Sequence, residues 1–276
     1  MFQYAAAKYL QEKTGLPVFL DDFEKKGFMT DRLLECFELP EASVTRMAIS
    51  RILSHERFNQ YWKLYRPSKT QVNNSEIAWE TFDESFFSIN RLTKLRGRFQ
   101  SPSYFGHDFK FVASLFVPKR NHLKTLESES ARLSVNHDRV CAIHVRQADD
   151  YRNMSGATAM EGQGWCLPPS YYEKALSELR GIQRYLVFGD NLNWSRQHFS
   201  GLTNVEFVSG NHPVVDMFLI SRCRYKILAN STFAWWAGVL DQRQDSVTYA
   251  PEYFLGYHRK SWFPPDIRIP EWNYLY

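Results

Sequence analysis

The chain has 276 residues, 44% of them apolar and 23% charged, the composition of one large globular domain or two halves, not of a disordered or fibrous chain. The formal charge of +4 is spread thinly; the densest run, Arg91-Leu92-Thr93-Lys94-Leu95-Arg96-Gly97-Arg98, reads as a solvated face, and no nucleic-acid partner is expected. No stretch of about 18 apolar residues occurs, so no membrane-spanning helix is expected, and no signal peptide is recognisable.

Phe2, Ala5, Ala6, Tyr9 and Leu10 follow helical spacing, and Gly15 and Pro17 end that helix. A short apolar strand, Val18-Phe19-Leu20, is expected next. The opening helix of an α/β unit normally follows a strand, so the pattern begins one element late. Residues 21–130 read as an irregular region with helices at about 30–38, 45–64 and 107–130. Aromatics make up 16% of the chain and crowd segments 58–65, 99–116 and 249–276; such rings suit sugar faces but equally fill cores.

From residue 139 the pattern is regular. Val140-Cys141-Ala142-Ile143 is a buried-type strand, and Ser170-Tyr171-Tyr172-Glu173 reads as a capping box opening a helix to Arg180. Strands at 185–188, 205–208, 225–229 and 247–249 alternate with helices at 193–199, 213–223 and 232–240. This alternation predicts a mainly parallel sheet covered on both faces. The expected division is therefore an irregular α/β half over 1–138 and a Rossmann-like half over 139–276. Cys36, Cys141, Cys166 and Cys223 form no Cys-x-x-Cys pair, and Cys141 and Cys223 read as buried thiols. Sequons stand at Asn73, Asn153, Asn193 and Asn230, the last looking structurally committed.

Ligands of parallel sheets bind beyond the carboxyl ends of the strands. After strand 140–143 come His144, Arg146 and Asp149. An arginine there presents a planar fork of donors suited to a diphosphate, and His144 and Arg146 alternate with Val145, so they point to one side. A local His–Arg–Asp network without a ligand accounts for the same residues. Asn230-Ser231-Thr232 precedes the helix at Phe233 and reads either as a plain N-cap or as an anion site. Gly189-Asp190-Asn191 ends strand 185–188, the glycine allowing close approach of backbone to a nucleotide. Asp216 begins the helix 213–223, where a carboxylate complements the dipole or accepts from guanine.

Three strings, Phe2-Gln3-Tyr4-Ala5, His144-x-Arg146-x-x-Asp149 and Ala229-Asn230-Ser231-Thr232-Phe233-Ala234-Trp235-Trp236, resemble the motifs of the α-1,2-fucosyltransferases, glycosyltransferase family 11; Phe188-Gly189-Asp190-Asn191 is similar to the family's middle motif. The resemblance covers about the first ten residues and most of 139–255. It implies a GT-B-like α/β fold of two Rossmann-like halves with a cleft between them, the N-terminal one lacking its first strand and facing the acceptor. It further implies inverting, metal-independent transfer of fucose from GDP-fucose to the 2-hydroxyl of a terminal galactoside, with no cofactor. Arg146 would bind the diphosphate, supported by His144. Gly189, Asp190, Asn230, Ser231, Thr232 and Phe233 would line the donor, and Asp216 would read guanine. The general base is left unassigned, with Asp149 and Asp150 nearby in sequence; Asp149 is either a catalytic carboxylate or the group that orients Arg146.

The chain departs from the family in two places. It starts at Met1 where the family carries Gly-Asn-Gln before Phe-Gln-Tyr-Ala, and Arg146-Gln147-Ala148-Asp149-Asp150-Tyr151 replaces Arg-Arg-Gly-Asp-Tyr. Partners implied are GDP-fucose and an oligosaccharide acceptor, with membrane association only through a segment absent from this chain. The compartment would be the Golgi if eukaryotic, with a role in protein glycosylation, and cytoplasmic or membrane-peripheral if bacterial. The alternatives are a fucosyltransferase with a peptide or core-sugar acceptor, and a non-catalytic GDP-sugar- or glycan-binding remnant.

Overall fold

The computed structural model describes residues 1–18, 30–39, 63–71, 78–91, 93–156 and 158–276. They fall into two compact units, one drawn from Met1–Gln71, Ala78–Lys119 and Pro265–Arg268, the other from Arg120–Pro264 and Ile269–Tyr276. The expected division at 138/139 lies inside the second unit, because the helix just before it packs on that unit's own helices.

The first unit opens with α1 (Phe2–Thr14), whose buried residues Phe2, Tyr4, Ala5, Ala6 and Leu10 carry the expected stripe. Gly15 closes it at φ 71, its N–H donating to the Gln11 carbonyl, a left-handed turn that glycine adopts without a Cβ clash. Val18 lies in no regular element, and Phe19 and Leu20 of the expected strand lie outside the described residues. Helix α2 (Thr30–Cys36) matches expectation. Most of the expected helix 45–64 lies outside the described residues, as do sequon Asn73 and the aromatics of 58–62; Lys63 and Leu64 belong instead to strand β1 (Lys63–Tyr65). A second short pair, β2 (Lys69–Gln71) and β3 (Ala78–Glu80), is antiparallel, while β4 (Thr93–Leu95) runs parallel to β1.

The expected helix 107–130 is two helices, α3 (Phe109–Ser114) and α4 (Arg120–Leu133). Pro118 stands between them; it lacks an N–H and bars helical geometry at Val117. Four of the rings of 99–116 are core. Phe99, Tyr104, Phe105 and Phe116 are at most 1% exposed, and Phe86, Phe99 and Tyr104 meet edge to face or tilted at 5.0–6.0 Å. Sugar stacking is therefore not the use of these four, while Phe109 and Phe111 are half-buried.

The second unit is built on β5 (Val140–Val145), β6 (Arg184–Gly189), β7 (Val205–Phe207), β8 (Tyr225–Ile227), β9 (Val247–Pro251) and β10 (Asn273–Leu275). The six strands are all parallel, in the order β10-β9-β8-β5-β6-β7. Helices α5 (Asp149–Arg152), α6 (Pro169–Glu178), α7 (Leu192–Phe199), α8 (Pro213–Arg222) and α9 (Thr232–Val239) alternate with them. The chain steps outward from β5 to β6 and β7, then returns to lay β8 on the other side of β5. The direction of winding thus reverses between β5 and β8, the place where doubly wound sheets leave a crevice. Every residue of β5 is buried. Cys141, Ile143 and Val145 join Tyr171, Tyr172 and Ala175 of α6 in one apolar cluster, which sends Ala142 and His144 to the opposite face.

Three local expectations are corrected. The capping box at Ser170 does not form, because Pro169 takes the first helical position and α6 ends at Glu178. β8 stops at Ile227, leaving Leu228–Asn230 as the turn into α9. Neither α5 nor the edge strand β10 was expected. Cys141, Cys166 and Cys223 are buried thiols and all four cysteines are free.

Candidate functional site

The site grows from the carboxyl ends of β5 and β8, the two strands that meet at the reversal. Where β5 ends, Val145 pairs with Gly189, the last residue of β6. A Cβ on Gly189 would lie 2.7 Å from the Val145 carbonyl oxygen, so the close approach of β5 itself requires a glycine here. Asp190, next along, accepts from Arg146 Nη1 at 2.5 Å through one oxygen and from the Gln147 N–H at 2.7 Å through the other. The second arm of the guanidinium, Nη2, meets Asp150 Oδ2 at 2.5 Å. Burial works against the Arg146 charge, but Asp190 and Asp150 outweigh it and hold the guanidinium above its ordinary value.

The group that orients Arg146 is therefore not Asp149. Successive helical residues are turned about 100° from each other, so on the single turn of α5 only one of the two acids faces the guanidinium. Asp150 does so, and Asp149 is exposed.

His144 is 5% exposed and its ring lies 5.2 Å from that of Phe233 on α9. Burial, reinforced by the Arg146 charge, pushes its pKa down to about 3, so the imidazole is neutral and offers one donor and one acceptor. Nδ1 has no hydrogen-bond partner among the described residues.

On the β8 side Ser231 caps α9, its Oγ accepting from the Phe233 N–H at 3.2 Å. The first-turn N–H groups of a helix lack intrahelical acceptors and carry the positive end of its dipole. Thr232 and Phe233, half-buried, open that turn. Asn230 is no cap but a fully buried anchor: Nδ2 donates to the Trp165 carbonyl at 2.7 Å, while Oδ1 has no partner among the described residues. Its backbone carbonyl accepts from the Tyr151 hydroxyl at 3.2 Å. The Tyr151 ring carries the Arg146 guanidinium 4.6 Å from its centroid, and burial pushes the phenol up to about 12, keeping it a donor. One tyrosine thus ties the end of β5 to the end of β8.

Asp216 lies in the first turn of α8, at the same end of the sheet, since a helix between parallel strands starts where the preceding strand stops. Its partner is Asn211, whose Nδ2 donates at 3.0 Å, and not the residues above. Burial, with Glu129 adding to it, pushes the carboxyl up to about 6 against the Asn211 hydrogen bond. His212 caps α8 through Nδ1 and lies 4.3 Å ring to ring from His122.

The structure thus brings His144, Arg146, Asp190, Asn230, Ser231 and Phe233 into one neighbourhood. Sequence reasoning named Asp150 only as a nearby carboxylate and missed Tyr151 and Trp165. The Asp-Tyr pair that follows the arginine carried a signal for the first two; the Trp165 carbonyl had none. Two open depressions, at Asn136–Arg139 and at Arg184, Asn204 and Glu206, lie at the amino ends of β5–β7, away from this chemistry.

Comparison with known proteins adds the following. The model of glycosyl transferase family 11 matches residues 65–276, which include every residue of the site. Over 134 residues the chain is 32% identical to the O-antigen biosynthesis glycosyltransferase WbnK of Escherichia coli, covering 46% of this chain and 43% of that protein. Over 161 residues it is 29% identical to an alpha-1,2-colitosyltransferase of Escherichia coli, covering 56% and 53%. The chain spans about half the length of these curated relatives. Among solved structures, apo POFUT1 aligns with a TM-score of 0.43 and 9% identity, over 90% of this chain and 92% of that one.

Proposed function

The chain belongs to glycosyl transferase family 11, and from that premise we propose that it transfers L-fucose from GDP-fucose to the 2-hydroxyl of a terminal galactoside, with inversion and without a metal. The observation that carries this reading is the pairing across the reversal point. A guanidinium at the end of β5 and a serine-capped helix start at the end of β8 are held together through Tyr151. Such a pair grips a diphosphate from two sides.

In this reading the acceptor oxygen bonds to the fucosyl anomeric carbon as the bond from that carbon to the β-phosphate oxygen breaks. The electron pair leaves with GDP. Arg146, with Ser231 and Thr232 at the start of α9, neutralises the charge that grows there, which is electrostatic catalysis at the leaving group. His144, neutral and with a ring nitrogen unpartnered, adds a hydrogen bond. Asp190 holds the arginine, Gly189 lets the two strand ends close, and Asn230 and Phe233 wall the pocket. Asp216 reads the guanine edge. Asp149, the motif carboxylate not tied to Arg146, takes the acceptor's proton.

A second reading keeps the nucleotide and replaces fucosyl by colitosyl; the 29% identity to an alpha-1,2-colitosyltransferase favours it. Calorimetry with GDP and a transfer assay using fucosyl and colitosyl donors on β-galactoside acceptors decide the matter. GDP binding with fucosyl transfer to the galactose 2-hydroxyl is the expected result. Binding without turnover would identify a non-catalytic remnant, and absence of both would overturn the nucleotide-sugar reading.

A further inference from the structure

Each terminal nitrogen of Arg146 already donates to a carboxylate of the chain itself, Nη1 to Asp190 and Nη2 to Asp150. The guanidinium keeps N–H donors to spare, but a diphosphate that docks on the edge spanning the two terminal nitrogens brings its negative charge against these carboxylates, and the repulsion falls if one of them gives way. The two are not equivalent. The Asp190 side chain is 21% exposed, and its second oxygen is fixed by the Gln147 N–H at 2.7 Å. Removing it from the arginine would strand a half-buried carboxylate and disturb the join between β5 and β6. The Asp150 side chain is 63% exposed and Arg146 is its one hydrogen-bond partner among the described residues. It can turn into water, where its charge is solvated at little expense.

We propose that Asp150 is a stand-in anion: it occupies one arm of Arg146 when the site is empty, and the donor diphosphate exchanges with it while Asp190 stays bound. The proposal rests on the nucleotide-sugar reading above. Asp190 is then a positioning residue that sets the angle of the fork. Asp150 is a competitor that keeps the fork extended and blocks it against weaker anions. No covalent step is involved; an internal ion pair is replaced by an intermolecular one.

The two acids predict changes of opposite sign. In the full chain, Asp150→Asn removes a competing charge, and calorimetry with GDP should read a Kd lower by about two- to fivefold, the worth of an exposed ion pair. Asp190→Asn should raise the Kd by about tenfold or more, since the arginine loses a partly buried, doubly hydrogen-bonded anchor. Asp150→Glu, which keeps the charge, should stay close to wild type. Inorganic phosphate should compete with GDP better in Asp150→Asn than in wild type. An unchanged or raised Kd in Asp150→Asn would overturn the exchange, because Asp150 would then be neutral to binding or a second anchor. Because its side chain is exposed, that variant is not expected to misfold, so the decisive arm survives even if Asp190→Asn does not fold. No GDP binding by the wild-type chain would defeat this proposal together with the reading beneath it, whereas binding with the wrong sign in Asp150→Asn defeats the exchange alone.

Discussion

Tyr151 supports Arg146 on its ring face, 4.6 Å from guanidinium carbon to ring centroid. Its hydroxyl then donates across to the Asn230 carbonyl at 3.2 Å. One side chain therefore sets both the height of the cation and its distance from the helix start at Ser231. Tyr151→Phe should keep the ring contact and lose only the tie, lowering stability by about 1 kcal/mol. Tyr151→Leu loses the cation–π contact as well, worth about another 0.5–2 kcal/mol. Thermal melts with and without GDP check this: the leucine variant should show the larger loss of GDP-induced stabilisation.

Arg146 is the group whose replacement should hurt most. Arg146→Ala should lower kcat by about 10²–10³-fold, the usual worth of one donor aimed at developing charge. Arg146→Lys should recover only part of this, because a point charge cannot replace the planar fork that spans two acceptors. Steady-state transfer kinetics with both variants measure it. Asp149→Asn should lower kcat with GDP affinity unchanged, separating proton removal from donor grip.

Asp216 gives a pH signature. Its folded pKa is raised from 3.8 to about 6, so the folded state holds a proton that the unfolded chain gives up. Stability from this group is fully present below the unfolded value and is lost as pH rises through about 6. Asp216→Asn should therefore stabilise the chain at pH 7. An ionised carboxylate is needed to accept from guanine, so GDP affinity should climb between pH 5 and 7 in wild type and be flat in Asp216→Asn. Calorimetry across that range reads both.

Lys226 tests the fold at the opposite end of β8. Its ammonium is fully buried and held by Asp241, the Cys223 carbonyl and Ser246 at 2.5–2.8 Å. Lys226→Met strands the buried Asp241 and should cost about 3–5 kcal/mol, while Lys226→Met with Asp241→Leu should recover most of it. Urea titrations of the single and double variants give the comparison.

The parallel sheet was legible because its inner strands are buried on both faces and read as unbroken apolar runs, Val140–Ile143 and Tyr185–Phe188. The edge strand Asn273–Leu275 was not: three residues with no alternation give no period. Arg146 and Ser231 could be found by looking at strand ends, and so could a glycine at 189, but not the neighbour that requires it. Its reason is the Val145 carbonyl, a contact between strands that spacing does not reveal. Asp149 and Asp150 are equally good partners for an arginine on paper; the turn of α5 chooses between them. Pro118 broke a helix that the apolar pattern carried straight through.

The insertion of β8 beside β5 has a consequence for the order of assembly. As the chain leaves the ribosome, β5, β6 and β7 emerge first and can pair among themselves, with Arg146 already bound to Asp190. The start of α9 arrives only after α8 and β8 have emerged. Binding competence is thus a late product of the most distant pairing at the centre of the sheet, and GDP should protect β8 and α9 from amide exchange more than β6 or β7.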